Sequence, residues 1–222
     1  MIRGLLFDLD GVLIDSLPSI HACINYALTR LDRAAIGREE ARPLIGPPLA
    51  HSARALLETD DPQQVARFLT LFRERYAARF LEETEPMAGM RELIPALAAR
   101  WPLAVATNKP TAFARPLLEG FGVIEHFQAV CGQPLDGQPT AKAEVIARAL
   151  AEGGLAEAGD VRGLFMIGDR STDVAGASAH GIPTIGALHG MGSRAELRDA
   201  GARWFVDDLR ALPELLARLE LE

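Results

Sequence analysis

Six short apolar runs punctuate the chain: Ile2–Phe7, Leu103–Thr107, Gln128–Cys131, Gly163–Ile167, Thr184–Ala187 and Trp204–Val206. Each predicts a buried strand. Between most of them lie longer amphipathic stretches, Gly89–Arg100, Thr111–Gly120, Thr140–Glu152, Asp173–His180, Ser193–Ala200 and Leu209–Leu219. Strands alternating with helices of this length read as βαβ units on a parallel sheet. In such sheets a ligand site lies beyond the carboxyl ends of the strands.

One interval breaks the alternation. From about Ser16 to Glu83 the pattern is helical only, with His21–Leu31, Pro48–Glu58 and Gln63–Leu81 as the clearest segments. In the last, Arg67, Arg73, Arg75 and Arg79 recur among Phe68, Leu69, Phe72, Tyr76 and Phe80, which predicts a helix with one apolar face. The expected fold is therefore α/β: a Rossmann-like parallel-sheet core with a small helical cap domain inserted after the first strand. The core is expected over residues 1–15 and 85–222, and the cap over 16–84.

Composition narrows the class. Of 222 residues, 49% are hydrophobic and 24% charged, with 20 Gly and 14 Pro, which excludes a disordered, collagen-like or low-complexity chain. A net charge of −7 argues against a nucleic-acid binder or a binder of anionic membranes. Cys23 and Cys131 are far apart and in no metal or redox pattern, so buried thiols in a reducing compartment are expected. The apolar stretch Ile2–Leu6 is too short for a secretory signal, and no run reaches membrane-spanning length. A cytoplasmic protein is expected. Of the 23 basic residues only Lys109 and Lys142 are lysines. Arg-favouring codon usage explains such a skew, yet a lysine retained against it can mark a place where arginine would not serve.

Four segments that follow predicted strands carry candidate chemistry. The first strand ends in Asp8-Leu9-Asp10-Gly11-Val12, two carboxylates that can both face a site if the chain turns at Gly11. The second ends in Thr107-Asn108-Lys109-Pro110, where Thr107 and Asn108 can donate to an anion or simply cap the next helix. Lys142 opens a helix, a position opposed by the helix dipole unless something negative is near. A solvated surface lysine is the plain alternative. In Gly168-Asp169-Arg170-Ser171-Thr172-Asp173, a helix beginning near Asp169 would put both carboxylates on one face. Such acids suit a hard cation such as Mg²⁺.

In this order, D-x-D-G-V, T-N, K and G-D-x-x-x-D resemble the haloacid dehalogenase superfamily over nearly the whole chain. Leu44-Ile45-Gly46-Pro47-Pro48-Leu49 and Leu135-Asp136-Gly137, followed by Lys142-Ala143-Glu144-Val145-Ile146, resemble its phosphoglycolate-phosphatase-like branch. The resemblance implies that Asp8 is a nucleophile forming an aspartyl-phosphate and that Asp10 is the acid and base. It implies that Thr107 and Asn108 bind phosphate and that Lys142 neutralises charge. It also implies that Asp8, the Asp10 backbone carbonyl and Asp169 hold Mg²⁺, with Asp173 either ligating the ion or supporting its ligands. The implied partner is a small phosphorylated metabolite.

Related activities remain open on sequence. Dehalogenases lack the second aspartate and the metal acids, so Asp10, Asp169 and Asp173 count against them. A β-phosphoglucomutase-like phosphotransferase would carry Ser-Arg after its cap glycine, where this chain has Pro47-Pro48 after Gly46. Pyrophosphatase remains an alternative. A non-catalytic, receiver-like phosphate-binding module would place its acceptor on a later strand. Arg42 and His51 flank the Gly-Pro-Pro turn and are candidate readers of the substrate's non-phosphate end. Trp101 and Trp204 are expected to pack, and none of the five histidines is read as a metal ligand.

Overall fold

The computed structural model describes residues 1–47, 49–135, 140–156 and 159–221. Pro48, Asp136 and Gly137, which figure in the branch resemblance, lie outside them. The described chain divides into two compact units, residues 1–15 with 86–222, and residues 16–85.

The first unit is built on six parallel strands, ordered β5-β4-β1-β6-β7-β8. They are β1 (Gly4–Phe7), β4 (Leu103–Pro110), β5 (Phe127–Gln133), β6 (Leu164–Gly168), β7 (Thr184–Ala187) and β8 (Trp204–Val206). Two short strands, β2 (Ile14–Asp15) and β3 (Glu85–Pro86), mark where the chain leaves and rejoins this unit. Helices α5 (Met90–Ala98), α6 (Thr111–Gly120), α7 (Lys142–Glu152), α8 (Ser171–Ser178), α9 (Arg194–Ala200) and α10 (Leu212–Leu219) connect and follow the strands.

Central β1 pairs with β4 on one side and β6 on the other, and Leu5, Leu6 and Phe7 are fully buried. A strand covered on both faces reads as an unbroken apolar run, which is why this one was so legible. Successive strands add on one side of β1 and then on the other. The order therefore reverses there, and the crevice at the carboxyl ends of the neighbouring strands is where such folds bind ligands.

The second unit is helical: α1 (Leu17–Arg30), α2 (Arg38–Ala41), α3 (Leu49–Leu57) and α4 (Pro62–Glu83). The Asp61 side chain caps α4 by accepting from Gln63 N–H, and Pro62 fits the first turn, whose N–H needs no partner. Phe68, Phe72, Tyr76 and Phe80 recur every four residues and stack in sequence, with centroids 6.4, 5.9 and 5.5 Å apart. All four are buried, so the aromatic face read from the sequence is this unit's core. Among the described residues no helix is long and apolar enough to cross a membrane. Cys23 and Cys131 are both buried and unbridged.

Candidate active site

Four loops at the carboxyl ends of β1, β4, β5 and β6 supply the polar groups. After β1 the chain turns at Gly11, whose φ of 82° is left-handed and costs glycine nothing. Gly11 N–H donates to the Ile14 carbonyl at 2.9 Å, closing the turn directly after Asp8 and Asp10.

The end of β4 departs from regular pairing. Ala106 pairs with Cys131 and Pro110 with Gln133, so residues 107–109 stand opposite Gly132 alone. The extra residues bulge, a device that re-aims side chains at a strand's end. Thr107 is buried, and its Oγ1 accepts from Lys109 N–H at 3.2 Å. Lys109 Nζ then donates to both oxygens of Asp10, at 2.7 and 2.9 Å.

Lys142 is the first residue of α7 and is buried. Its Nζ lies 2.7 Å from Asp8 Oδ1 and 2.7 Å from Asp173 Oδ1. The unfavourable dipole position thus has its compensation in two carboxylates. Burial works to lower the Lys142 pKa, but the charges of Asp173 and Asp8 outweigh it and push the ammonium above its ordinary value.

The segment after β6 corrects one expectation. Helix α8 begins at Ser171, so Asp169 lies ahead of it and does not share a helical face with Asp173. The two meet because Asp173 folds back to the helix start. Its Oδ2 accepts from Asp169 N–H and Arg170 N–H, each at 3.1 Å. Both Asp173 oxygens are thereby engaged, one by Lys142 and one by the backbone. Asp169 differs: Oδ2 accepts from Met191 N–H at 2.6 Å, while buried Oδ1 accepts nothing among the described residues.

Asp8, Asp169 and Asp173 are all buried, with ligand atoms within 4.8 Å of one another. Burial raises the Asp8 pKa, Lys142 opposes it and Asp173 adds to it, leaving Asp8 at about 6. Burial and then the charges of Asp173 and Asp8 push Asp169 well above the usual carboxylate range. Three buried acids against one ammonium leave excess negative charge in the site. A divalent oxygen-seeking cation suits both that charge and the bare Asp169 Oδ1.

The structure therefore gathers Asp8, Asp10, Thr107, Lys142, Asp169 and Asp173 in one unit. Asn108 is nearby, with its Oδ1 accepting from Gln133 Nε2 at 3.3 Å. Arg42 and His51 belong to the helical unit; Arg42 is half-buried beside Glu39, and His51 is exposed. Two further residues emerge. Lys109 holds Asp10, a link that its survival among arginines only hinted at. Gln133 was not singled out by sequence: it donates to the Thr140 carbonyl at 2.6 Å and accepts from Thr140 N–H at 2.8 Å, two residues before Lys142. A neutral amide at a strand end carries no charge signature that would have marked it.

Comparison with known proteins identifies the family. A family model described as haloacid dehalogenase-like hydrolase matches residues 5–187. A 5'-nucleotidase of Pseudomonas aeruginosa is 38% identical over 96% of this chain and 95% of its own. A tyrosine-protein kinase PtkA of Mycobacterium tuberculosis is 34% identical over 95% of this chain and 70% of its own. A phosphoglycolate phosphatase of Rhodospirillum rubrum is 33% identical over 97% of this chain and 91% of its own. A predicted phosphatase from Clostridium acetobutylicum superposes with a TM-score of 0.88, at 31% identity, over 98% of this chain and 99% of that one. With the motifs, the sheet order and these relatives in agreement, the chain belongs to the haloacid dehalogenase-like hydrolases, in their phosphoglycolate-phosphatase-like branch.

Proposed function

We propose that this chain is a cytoplasmic, Mg²⁺-dependent phosphatase that hydrolyses small phosphate monoesters through an aspartyl-phosphate on Asp8. The observation that carries the reading is Lys142 held at 2.7 Å from both Asp8 and Asp173, beside the bare, buried Oδ1 of Asp169. A carboxylate approaching a phosphate dianion at about 4 Å meets roughly 8 kcal/mol of repulsion at an effective dielectric near 20. Lys142 is of the sign and size to offset part of it. Asp8, the Asp10 carbonyl and Asp169 would hold Mg²⁺, which when bound supplies the remaining positive charge. Asp173, with both oxygens engaged, would steady Lys142 and the loop of Asp169.

In the first step an Asp8 oxygen bonds to phosphorus as the bond from phosphorus to the ester oxygen breaks. Asp10, protonated for this step, gives that proton to the departing oxygen and is left as the carboxylate that Lys109 holds. In the second step Asp10 takes a proton from water, whose oxygen bonds to phosphorus and releases inorganic phosphate from Asp8. Lys109 orients Asp10 for both transfers, and Thr107 with Asn108 would bind the transferring group. The helical unit would act as a cap, with Arg42 and His51 reading the rest of the substrate. The relatives' names make phosphoglycolate and 5'-mononucleotides the first esters to assay.

The purified chain should release phosphate from p-nitrophenyl phosphate with Mg²⁺, and Asp8→Asn should lose at least about 10³-fold in kcat, the scale of an essential nucleophile. Absence of turnover with every ester tried, or Asp8→Asn at wild-type rate, would refute the reading. Transfer of phosphate to a sugar or protein hydroxyl in preference to water would replace hydrolysis by phosphotransfer.

A further inference from the structure

The stretch from the end of β7 into the first turn of α9 takes no part in the steps above, yet it lies against Asp169. Met191 N–H is the donor that fixes Asp169 Oδ2, at 2.6 Å. The glycines beside it permit that approach: a Cβ on Gly190 would overlap Asp169 Oδ2, and one on Gly192 would overlap the Asp169 carbonyl oxygen. The segment is fastened at both ends. His189 Nε2 is bonded to the Val12 carbonyl at 3.1 Å, on the turn that follows Asp10. Glu196 accepts from Ser171 N–H at 2.8 Å and from Arg170 Nε at 3.0 Å, on the loop that carries Asp169.

A carboxylate with one oxygen held and the other bare has its free lone pairs aimed in advance. We propose that residues 189–196 form a clasp whose backbone orients Asp169, so that Gly190, Met191 and Gly192 set the site's affinity for a divalent cation without ligating it. The inference rests on the metal reading above. Groups that orient a ligand in this way typically change metal affinity 10- to 100-fold.

The test is equilibrium binding, independent of turnover: Mg²⁺ by calorimetry and Mn²⁺ by electron paramagnetic resonance on chelator-stripped protein. Gly190→Ala should bind either ion about 10- to 100-fold more weakly. Met191→Pro, which deletes the N–H, should do the same, while Met191→Leu, which keeps it, should bind like wild type. Glu196→Gln leaves the segment beside Asp169 intact and loosens only its outer fastening, so a smaller loss is expected. Ile182→Val, a core defect in the same unit, should leave affinity unchanged. Wild-type affinity in Gly190→Ala and Glu196→Gln, or equal losses in Met191→Leu and Met191→Pro, would overturn the clasp while leaving the metal reading in place. A wild-type chain that takes up neither ion would overturn the metal reading, and the clasp with it.

Discussion

Asp169→Asn should make the metal-free protein more stable while removing its response to metal. Asp169 is fully buried, and its ligand atom lies within 4.8 Å of those of Asp8 and Asp173. At that separation and an effective dielectric near 20, two like charges repel by about 3.5 kcal/mol, so an ionised Asp169 beside two ionised neighbours faces about 7 kcal/mol. Taking up a proton avoids this, at a cost set by pH. A carboxyl with an unfolded pKa of about 3.9 that must stay neutral at pH 7 costs the fold at most about 4 kcal/mol. The folded pKa is raised, so the folded chain binds more protons than the unfolded one above pH 4. Its stability therefore falls as pH rises towards the folded pKa.

Asparagine removes that slope and can still accept from Met191 N–H. Because Asp8, at about 6, shares the proton uptake, the expected gain at pH 7 lies below that ceiling. The ceiling of about 4 kcal/mol caps the Tm rise at about 8–16 °C for a chain of this size. Scanning calorimetry with a chelator at pH 5, 6 and 7 should show the variant's advantage widening with pH. Added Mg²⁺ at 100 times its Kd should stabilise wild type by about 2.7 kcal/mol and the variant hardly at all. A variant less stable than wild type in chelator, or an advantage that does not change with pH, would refute the electrostatic account.

Two other outcomes follow from contacts at the same sheet edge and beneath it. Lys109→Met strips Asp10 of a cation held at 2.7 Å and buried to 4% exposure, so it should cost about 3 kcal/mol. Adding Asp10→Asn should recover most of that in chemical denaturation; additive losses would show that the pair is not coupled. Burial and the bond to Glu152 push the Cys131 thiol up to about 11, so it should resist alkylation at pH 8 in the native state and react on unfolding. Rapid native labelling of Cys131 would contradict its placement.

The inner strands were legible because they are buried on both faces: Thr184–Ala187, with all four residues buried, has the bounds that its apolar run predicts, and so does the half-buried edge strand Trp204–Val206. Helix starts were less so. Asp173 caps the turn before α8 from within the helix, so a spacing argument that began the helix at Asp169 put the right residues together for the wrong geometric reason. Whether Asp173 ligates or positions was open in sequence, because the answer lies in which partner occupies each oxygen. Those partners include Lys142, 31 residues away. Lys109 and Asp10 lie 99 residues apart, and only the neighbouring of β1 and β4 brings them together. Gln133 joins Asn108 and Thr140 from different segments, with no charge to mark it.

The lysines tie these observations to the acidic composition. Many arginines pair with acids at exposed positions, as in Arg162 with Asp160 and Arg210 with Asp208, and even Arg75 with Glu83 and Arg170 with Glu196 keep partial exposure. Both lysines instead lie buried, each 2.7 Å from a carboxylate of the β1 loop. An ammonium is a compact point charge that fits between two carboxylates, as Lys142 does between Asp8 and Asp173. A planar guanidinium in the same gap would need the width of its fork. The compact ammonium suits both places where this chain has lysine in preference to arginine. The net charge of −7 then poses no conflict with an anionic substrate. On the proposed reading, the acids of this site concentrate negative charge where a divalent cation and Lys142 would reverse it, and that local reversal would admit a phosphate ester.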